Sequence, residues 1–112
     1  AGTLGVCFDT AHGWAAGYDC GSKDGITGML EQFDKTIGLK HLLAIHINDS
    51  KAKRGSRVDR HEHIGHGAIN PEGFKTLLNQ NWPGGFPFIL ETPDIGSDWD
   101  RVNLEIVRSL LK

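Results

Sequence analysis

Several features are scarce in this chain of 112 residues, and each scarcity excludes a class of protein. Only two cysteines occur, without a C-x-x-C spacing, which argues against a disulfide-rich secreted domain. We therefore expect Cys7 and Cys20 to be reduced thiols of an intracellular, cytoplasmic protein. Apolar runs are too short for a membrane span or for the apolar core of a signal peptide. The formal net charge is only −2, so the chain as a whole should not be attracted to nucleic acid.

What is present is the composition of one globular domain, with 38% hydrophobic and 23% charged residues. The first residue is Ala1 rather than methionine, which leaves room for an upstream segment. Charge is distributed unevenly, because a cluster of basic residues lies between positions 51 and 60. Its members are Lys51, Lys53, Arg54, Arg57 and Arg60. Such a cluster is either a solvated charged loop or a local surface for anions such as phosphate.

Apolar runs and helical periodicity alternate along the chain. Strands are predicted at residues 4–9, 42–47 and 86–91. A helix is predicted at about 27–37, and a second begins at Pro71 behind the N-cap Asn70. A third helix is predicted after Ser97, because Ser97 and Asp100 have the spacing of a capping box. With residues 48–68 as a polar loop, the order is β-α-β-loop-α-β-α, which is typical of a parallel sheet with right-handed crossovers.

Three strands form a small sheet for an α/β protein. Two edges would be left unpaired, and only a modest core could be buried. We therefore expect either part of a larger α/β structure or an association of copies that completes the sheet.

Each predicted strand ends on or near a potential metal ligand. Asp9 closes the first, His46 lies near the end of the second, and Glu91 closes the third. Active sites of parallel α/β folds gather at the carboxyl ends of strands, and neighbouring strands lie about 4.8 Å apart. The three side chains can therefore converge on a divalent metal such as zinc or manganese. Taken singly, each has an ordinary structural role: a turn cap, a core histidine and an ion-pair partner.

Two further motifs offer candidate ligands. In D-x-x-H, His12 can reach the same mouth but not necessarily the same ion, and V-D-R-H-E-H-I-G-H-G at residues 58–67 contains three histidines and an aspartate. In an extended segment, Asp59 and His61 point to the same side. His63 shares that spacing, so alternation alone predicts it as a further ligand. His66 follows a glycine and has no such periodic argument.

Four segments resemble one known family. They are F-D-T-A-H-G-W-A-A-G-Y-D (8–19), H-I-N-D-S-K (46–51), G-S-R-V-D-R-H-E-H-I-G-H-G (55–67) and I-L-E-T-P (89–93). In order and spacing they resemble the C-terminal part of endonuclease IV, the zinc-dependent apurinic/apyrimidinic endonuclease family of base-excision DNA repair. Sugar isomerase barrels share the strand-end ligands but lack, as a rule, the D-R-H segment.

The resemblance implies an α/β fold that is part of a xylose isomerase-like TIM barrel. The complete barrel of the family has three zinc ions at its mouth, and ligands of two of them would lie in this chain. Residues 1–112 would be a C-terminal fragment of that endonuclease domain, about the last three of eight strand–helix units. The implied ligands of one zinc are Asp9, His46 and Glu91, and those of another are His12, Asp59 and His61. His63 is implied to be a surface residue or a neighbour of the ligands. The other ligands would lie upstream.

The implied function is cleavage of the phosphodiester 5′ to abasic sites in double-stranded DNA by metal-activated hydroxide. Glu91 takes part in catalysis as a ligand, while Arg57, Arg60 and Lys51 are expected to contact the DNA backbone. The fragment alone should bind at most two zinc ions and be inactive until the missing half of the barrel, or a second copy, completes it. Manganese is the alternative metal. The alternative functions are a metal-dependent sugar isomerase or epimerase and a non-enzymatic metal-binding half-barrel that dimerises.

Overall fold

A parallel sheet with helices packed against it organises the chain. The computed structural model describes residues 5–94 and 96–111. In chain order the elements are β1 (Val6–Asp9), α1 (Thr10–Ala16), α2 (Lys23–Thr36), a 3₁₀ turn (Leu39–His41), β2 (Leu42–His46), β3 (Asp49–Ser50), β4 (His61–Glu62), α3 (Pro71–Leu78), β5 (Phe88–Ile89) and α4 (Asp98–Leu110). Within the described residues, no helix combines the length and the apolar character needed to cross a bilayer.

The three strands lie in the order β1-β2-β5, and both pairings are parallel. In the register, Asp9 stands beside His46, and His46 stands beside Ile89. The predicted parallel sheet is therefore confirmed, and its carboxyl ends meet at one edge. The first strand was expected from residue 4, which lies outside the described residues.

The third strand is shorter than predicted, since only Phe88 and Ile89 join the ladder. Beyond them the main chain leaves the sheet, because the N–H of Glu91 donates to the side chain of Asn48 at 2.8 Å instead of to a strand. The departure matters for the site, since it holds Glu91 against the end of β2.

The helices begin where polar side chains can cap them. Ser22 accepts from the N–H of Gly25, so α2 starts earlier than the prediction from apolar spacing. Asn70 accepts from the N–H of Glu72 with Pro71 in the first turn, as predicted.

The capping box predicted at α4 is displaced by one residue. Ser97 does cap the helix, accepting from the N–H of Trp99 at 3.2 Å. The carboxylate of Asp100, however, accepts from the N–H of Gly96 rather than from that of Ser97. Both residues thus satisfy N–H groups at the entry to α4.

The core lies between the sheet and the helices α2 and α3, which pack on each other. Its buried residues are Cys20, Ile26, Leu30, Leu42, Ile45, Ile47, Ile64, Ile69, Phe74, Leu77 and Leu78. Full burial of one such large side chain is worth about 1.5–3 kcal/mol. Both cysteines are free, Cys7 exposed and Cys20 buried, which agrees with the predicted thiols. Burial raises the pKa of Cys20 to about 12.

Residues 48–68 are not the plain polar loop that the sequence predicted. β3 and β4 pair antiparallel within them, and Ile64 is fully buried. The buried carboxylate of Asp49 organises the segment, because it accepts backbone N–H groups along the chain at 2.8–3.0 Å. The donors are Ser50, Gly65, Gly67 and Ile69. Burial raises the pKa of the Asp49 carboxyl, although these hydrogen bonds act in the opposite direction.

Candidate metal centre

Side chains from three strand ends converge at the carboxyl edge of the sheet. His46 Nδ1 contacts Glu91 Oε1 and lies 3.7 Å from Asp9 Oδ2. One ligand atom from each of the three residues falls within 4.8 Å of the others. Two carboxylates and an imidazole are a donor set that divalent zinc or manganese accepts. The structure thus brings together the first predicted set.

A second convergent group contains Asp9, Asp59 and His61. His61 Nε2 lies 3.6 Å from Asp9 Oδ2 and 3.6 Å from Asp59 Oδ1. The predicted set had His12 in place of Asp9. His12 Nδ1 lies 3.4 Å from Asp59 Oδ2, but its side chain is 74% exposed and stands outside the convergent group. The structure therefore brings His12 to Asp59 and not to His61.

The main-chain carbonyl of Glu91 orients the ring of His61. Its Nδ1 lies 2.7 Å from the carbonyl oxygen of Glu91, which can only accept, so we assign the proton to Nδ1. Nε2 is then left with a free lone pair that faces Asp9 and Asp59. A histidine that donates from one ring nitrogen and offers the other is the usual arrangement of a metal ligand.

Asp9 occupies two structural positions at once, the last residue of β1 and the N-cap of α1. Its Oδ1 accepts from the backbone N–H of His12 at 3.0 Å. This bond accounts for the D-x-x-H spacing, because an N-cap side chain reaches the third helical residue. Oδ2 remains directed at the two histidines of the site.

The charge of the site is visible at a neighbouring thiol. Although Cys7 is largely exposed, the partial removal of its thiol from water raises its pKa, and the negative charges of Asp9 and Glu91 raise it further. Cys7 lies two residues before Asp9 on β1, on the same side of the strand. The carboxylates therefore make this edge of the sheet electronegative, which suits a cation.

His63 has a structural position away from both convergent groups of the described residues. It is only 6% exposed and stacks on Trp99 with ring centroids 3.8 Å apart. Its Nε2 lies 3.0 Å from Asp94 Oδ2, while its Nδ1 accepts from Asn103 Nδ2 at 3.0 Å. The ligand role predicted by alternation is wrong, and so is a surface position. His66 makes an edge contact with the same tryptophan.

The basic cluster lies on a loop that is docked against α1. Arg57 donates its backbone N–H to the carbonyl of Ala15 at 2.9 Å, and Trp14 Nε1 donates to Ala52. Arg57 has a positive φ of 62°, so its backbone is held in a left-handed conformation uncommon for its type. Lys51, Arg57 and Arg60 are exposed, and within the described part of the chain none of the three forms an ion pair.

Two buried polar residues next to the ligands were not singled out from the sequence. Asn48 and Thr10 are both fully buried. The hydroxyl of Thr10 donates to the backbone carbonyl of Asn48 and accepts from its backbone N–H. The only signal for Asn48 was its place in H-I-N-D-S-K, two residues after a strand-end ligand.

A parallel sheet whose strands end in carboxylate and imidazole side chains is the arrangement found at the mouth of a TIM barrel. The chain belongs to the family of xylose isomerase-like TIM barrels, whose model matches residues 2–110. Within it, the chain is 48% identical over 108 residues to the probable endonuclease 4 of Trichlorobacter lovleyi and 44% identical over 107 residues to that of Aquifex aeolicus. It also matches the crystal structure of endonuclease IV from Thermus thermophilus, with a TM-score of 0.82 and 38% identity. The resemblance to endonuclease IV inferred from the sequence is confirmed.

The matches cover almost all of this chain but only a minor part of each relative. All three relatives match 96% of this chain, but the chain spans only 38% of the length of each relative. The predicted partial barrel is therefore confirmed as well.

Proposed function

We propose that this chain is the C-terminal part of a metal-dependent endonuclease that cleaves the phosphodiester 5′ to abasic sites in double-stranded DNA. The observation that carries the proposal is the convergence of Asp9, His46 and Glu91 at three strand ends. The name of the relatives, endonuclease 4, supports DNA as the class of substrate. Action on genomic DNA would place the protein inside the cell.

Zinc is the metal that we propose, with manganese as the alternative for this mixture of nitrogen and oxygen ligands. A bound zinc ion would supply Lewis-acid chemistry by activating water and neutralising charge on the attacked phosphate. Asp9, His46 and Glu91 would hold one ion, so Glu91 takes part in catalysis as a ligand. Asp59 and His61 would hold a second, and His12 would join them through its contact with Asp59.

DNA would be held by the exposed basic loop. Arg57 lines a surface pocket together with His12 and Asp59, and Arg60 follows Asp59 directly in sequence. We therefore expect both guanidinium groups to reach a phosphate that binds beside the second ligand group. Arginine matches phosphate oxygens with two donors, whereas Lys51 would act as a point charge. Contacts of this kind position a duplex without reading its sequence, which suits an enzyme that recognises a missing base.

Two preparations test the proposal: the 112-residue chain and the complete gene product. The substrate is a duplex with one tetrahydrofuran abasic analogue, and an undamaged duplex is the control. We expect the chain to bind at most two zinc ions and to cut little, whereas the complete product cuts 5′ to the analogue. In the complete product, Glu91→Gln should lower the rate more than about 100-fold, beyond the usual effect of losing a residue that only supports a ligand. Glu31→Gln, at an exposed position of α2, is the matched control.

Robust cleavage by the chain alone, free of contaminating nuclease, would refute the partial site. Failure of the complete product to cut the abasic duplex would refute the endonuclease.

A sugar isomerase or epimerase is the second candidate, favoured by the xylose isomerase-like family and by a carboxylate–histidine group at strand ends. The unpaired basic side chains of the loop argue against it. Conversion of an aldose to a ketose by the complete product, without cleavage of abasic DNA, would establish it instead.

The oligomeric state of the chain in solution distinguishes two ways in which the edges of the sheet can be paired. β1 and β5 are the edges of the described sheet, so the rest of the barrel or a second copy would pair there. A folded, strictly monomeric chain would refute the dimer and leave the upstream part of the barrel as the partner.

A further inference from the structure

We propose that Asn48 is a positioning residue that joins the carboxylate ligands of two different strands, an inference that rests on the proposed metal centre. Asn48 lies just beyond β2, between the end of β1 and the end of β5. No ligand role is assigned to it. Its side chain instead contacts the two carboxylate residues of the first convergent group.

Both the nitrogen and the oxygen of the Asn48 side-chain amide form hydrogen bonds at the candidate metal centre. Nδ2 donates to Asp9 Oδ2 at 3.1 Å, and Oδ1 accepts from the backbone N–H of Glu91 at 2.8 Å. The two partners differ in kind, an acceptor and a donor, so they fix which end of the amide is nitrogen. Aspartate could not donate to Asp9, and a leucine of similar size could make neither bond.

The backbone of Asn48 is held as firmly as its side chain. Thr10 Oγ1 donates to the carbonyl of Asn48 at 2.6 Å and accepts from its N–H at 2.9 Å. Both residues are fully buried, so water cannot replace these bonds without opening the fold. Asn48 is therefore a rigid bridge between α1, which follows β1, and the chain that follows β5.

Asn48 holds Asp9 Oδ2, the carboxylate oxygen that faces the two histidines of the proposed metal centre. Asp9 Oδ2 lies 3.7 Å from His46 Nδ1 and 3.6 Å from His61 Nε2. Without the N–H of Asn48, the carboxylate is fixed only through Oδ1, and rotation can move Oδ2 away from both histidines. Loss of a hydrogen-bond partner that orients a metal ligand typically lowers metal affinity by about 10–100-fold.

The test compares Asn48→Leu with Asn103→Leu in the 112-residue chain, with folding checked first by circular dichroism. Asn103 is also fully buried, where its amide bonds Ile64, His63 and Thr92 and no carboxylate. Zinc affinity is measured by competition with a chelating dye. We expect a drop of about 10–100-fold for Asn48→Leu and less than about threefold for Asn103→Leu. An equal drop in both variants would reduce Asn48 to a structural role and overturn the proposal.

A measurement on the unsubstituted chain keeps the test valid if Asn48→Leu does not fold. In a zinc titration followed by NMR, the side-chain amide protons of Asn48 should shift in step with binding, while those of Asn103 stay in place. Zinc binding that leaves the Asn48 amide unshifted would overturn the positioning role alone. Absence of zinc binding by the unsubstituted chain would overturn the metal centre and this inference together.

Discussion

The substitution Asp49→Asn tests how the buried carboxylate holds the loop that carries Asp59 and His61. Asp49 Oδ1 accepts from the N–H groups of Ser50 and Ile69, and Oδ2 accepts from those of Gly65 and Gly67. Asparagine has the same shape but one NH₂ in place of an oxygen, so two buried donors would face another donor. Each unsatisfied donor costs about 1–3 kcal/mol, which gives about 2–6 kcal/mol for the pair. Burial raises the pKa of Asp49 because a buried charge is unfavourable. Asparagine removes that charge, which offsets part of the cost of the two unsatisfied donors.

After that offset we expect the free energy of unfolding to fall by about 1–5 kcal/mol, against a typical total of about 5–15 kcal/mol. Urea unfolding measures the loss, and hydrogen exchange should accelerate at the amides of Gly65 and Gly67. The matched control is Asp34→Asn, at an exposed carboxylate that accepts a single N–H from Leu39 at 2.9 Å. That change should stay within about 0.5 kcal/mol. Unchanged stability and unchanged exchange in Asp49→Asn would refute the reasoning.

Two further predictions concern packing and pH. Gly67→Ala places a Cβ against the carbonyl oxygen of Ser50 and should lower the free energy of unfolding, measured in urea, by about 1–3 kcal/mol. Gly28→Ala on α2 meets open space and should raise it by about 0.5–1 kcal/mol. Equal effects of the two substitutions would contradict the close contact at Gly67. A hydrogen bond from Ser22 lowers the pKa of Asp19, as does one from the N–H of Gly21. The stabilisation from the Asp19 carboxylate is therefore complete above pH 3.8, its unperturbed pKa, and is lost as pH falls through the lowered pKa. The stability gap between wild type and Asp19→Asn should shrink from pH 7 to pH 3, and a constant gap would count against this bond.

The sheet and the convergence of its strand-end side chains could be predicted from the sequence because their signals are local. Runs that are apolar on both faces indicate buried parallel strands, and each run ends in a residue that interrupts the apolar pattern. Asp9, His46 and Glu91 interrupt three runs at equivalent points. Their convergence then follows from the spacing of neighbouring strands, without knowledge of any loop.

The loop that carries Asp59 and His61 could not be predicted in the same way. Its order comes from Asp49, whose carboxylate bonds N–H groups up to 20 residues away, and such pairs leave no periodic pattern in a sequence. Alternation failed at His63 for a related reason. The pairing of β4 ends at Glu62, and the buried Ile64 then draws the chain into the core, so the two-residue period no longer applies.

The position of Asp9 explains why the two proposed ligand groups should depend on each other. One oxygen, Oδ2, faces His46 of the first group and His61 of the second at nearly equal distances, while Oδ1 is held by the first turn of α1. A change that moves Oδ2 therefore alters its distances to both histidines at once. The hydrogen bond from Asn48 Nδ2 restrains this oxygen. We therefore expect the hydrogen bonds around this one carboxylate to influence both candidate groups together.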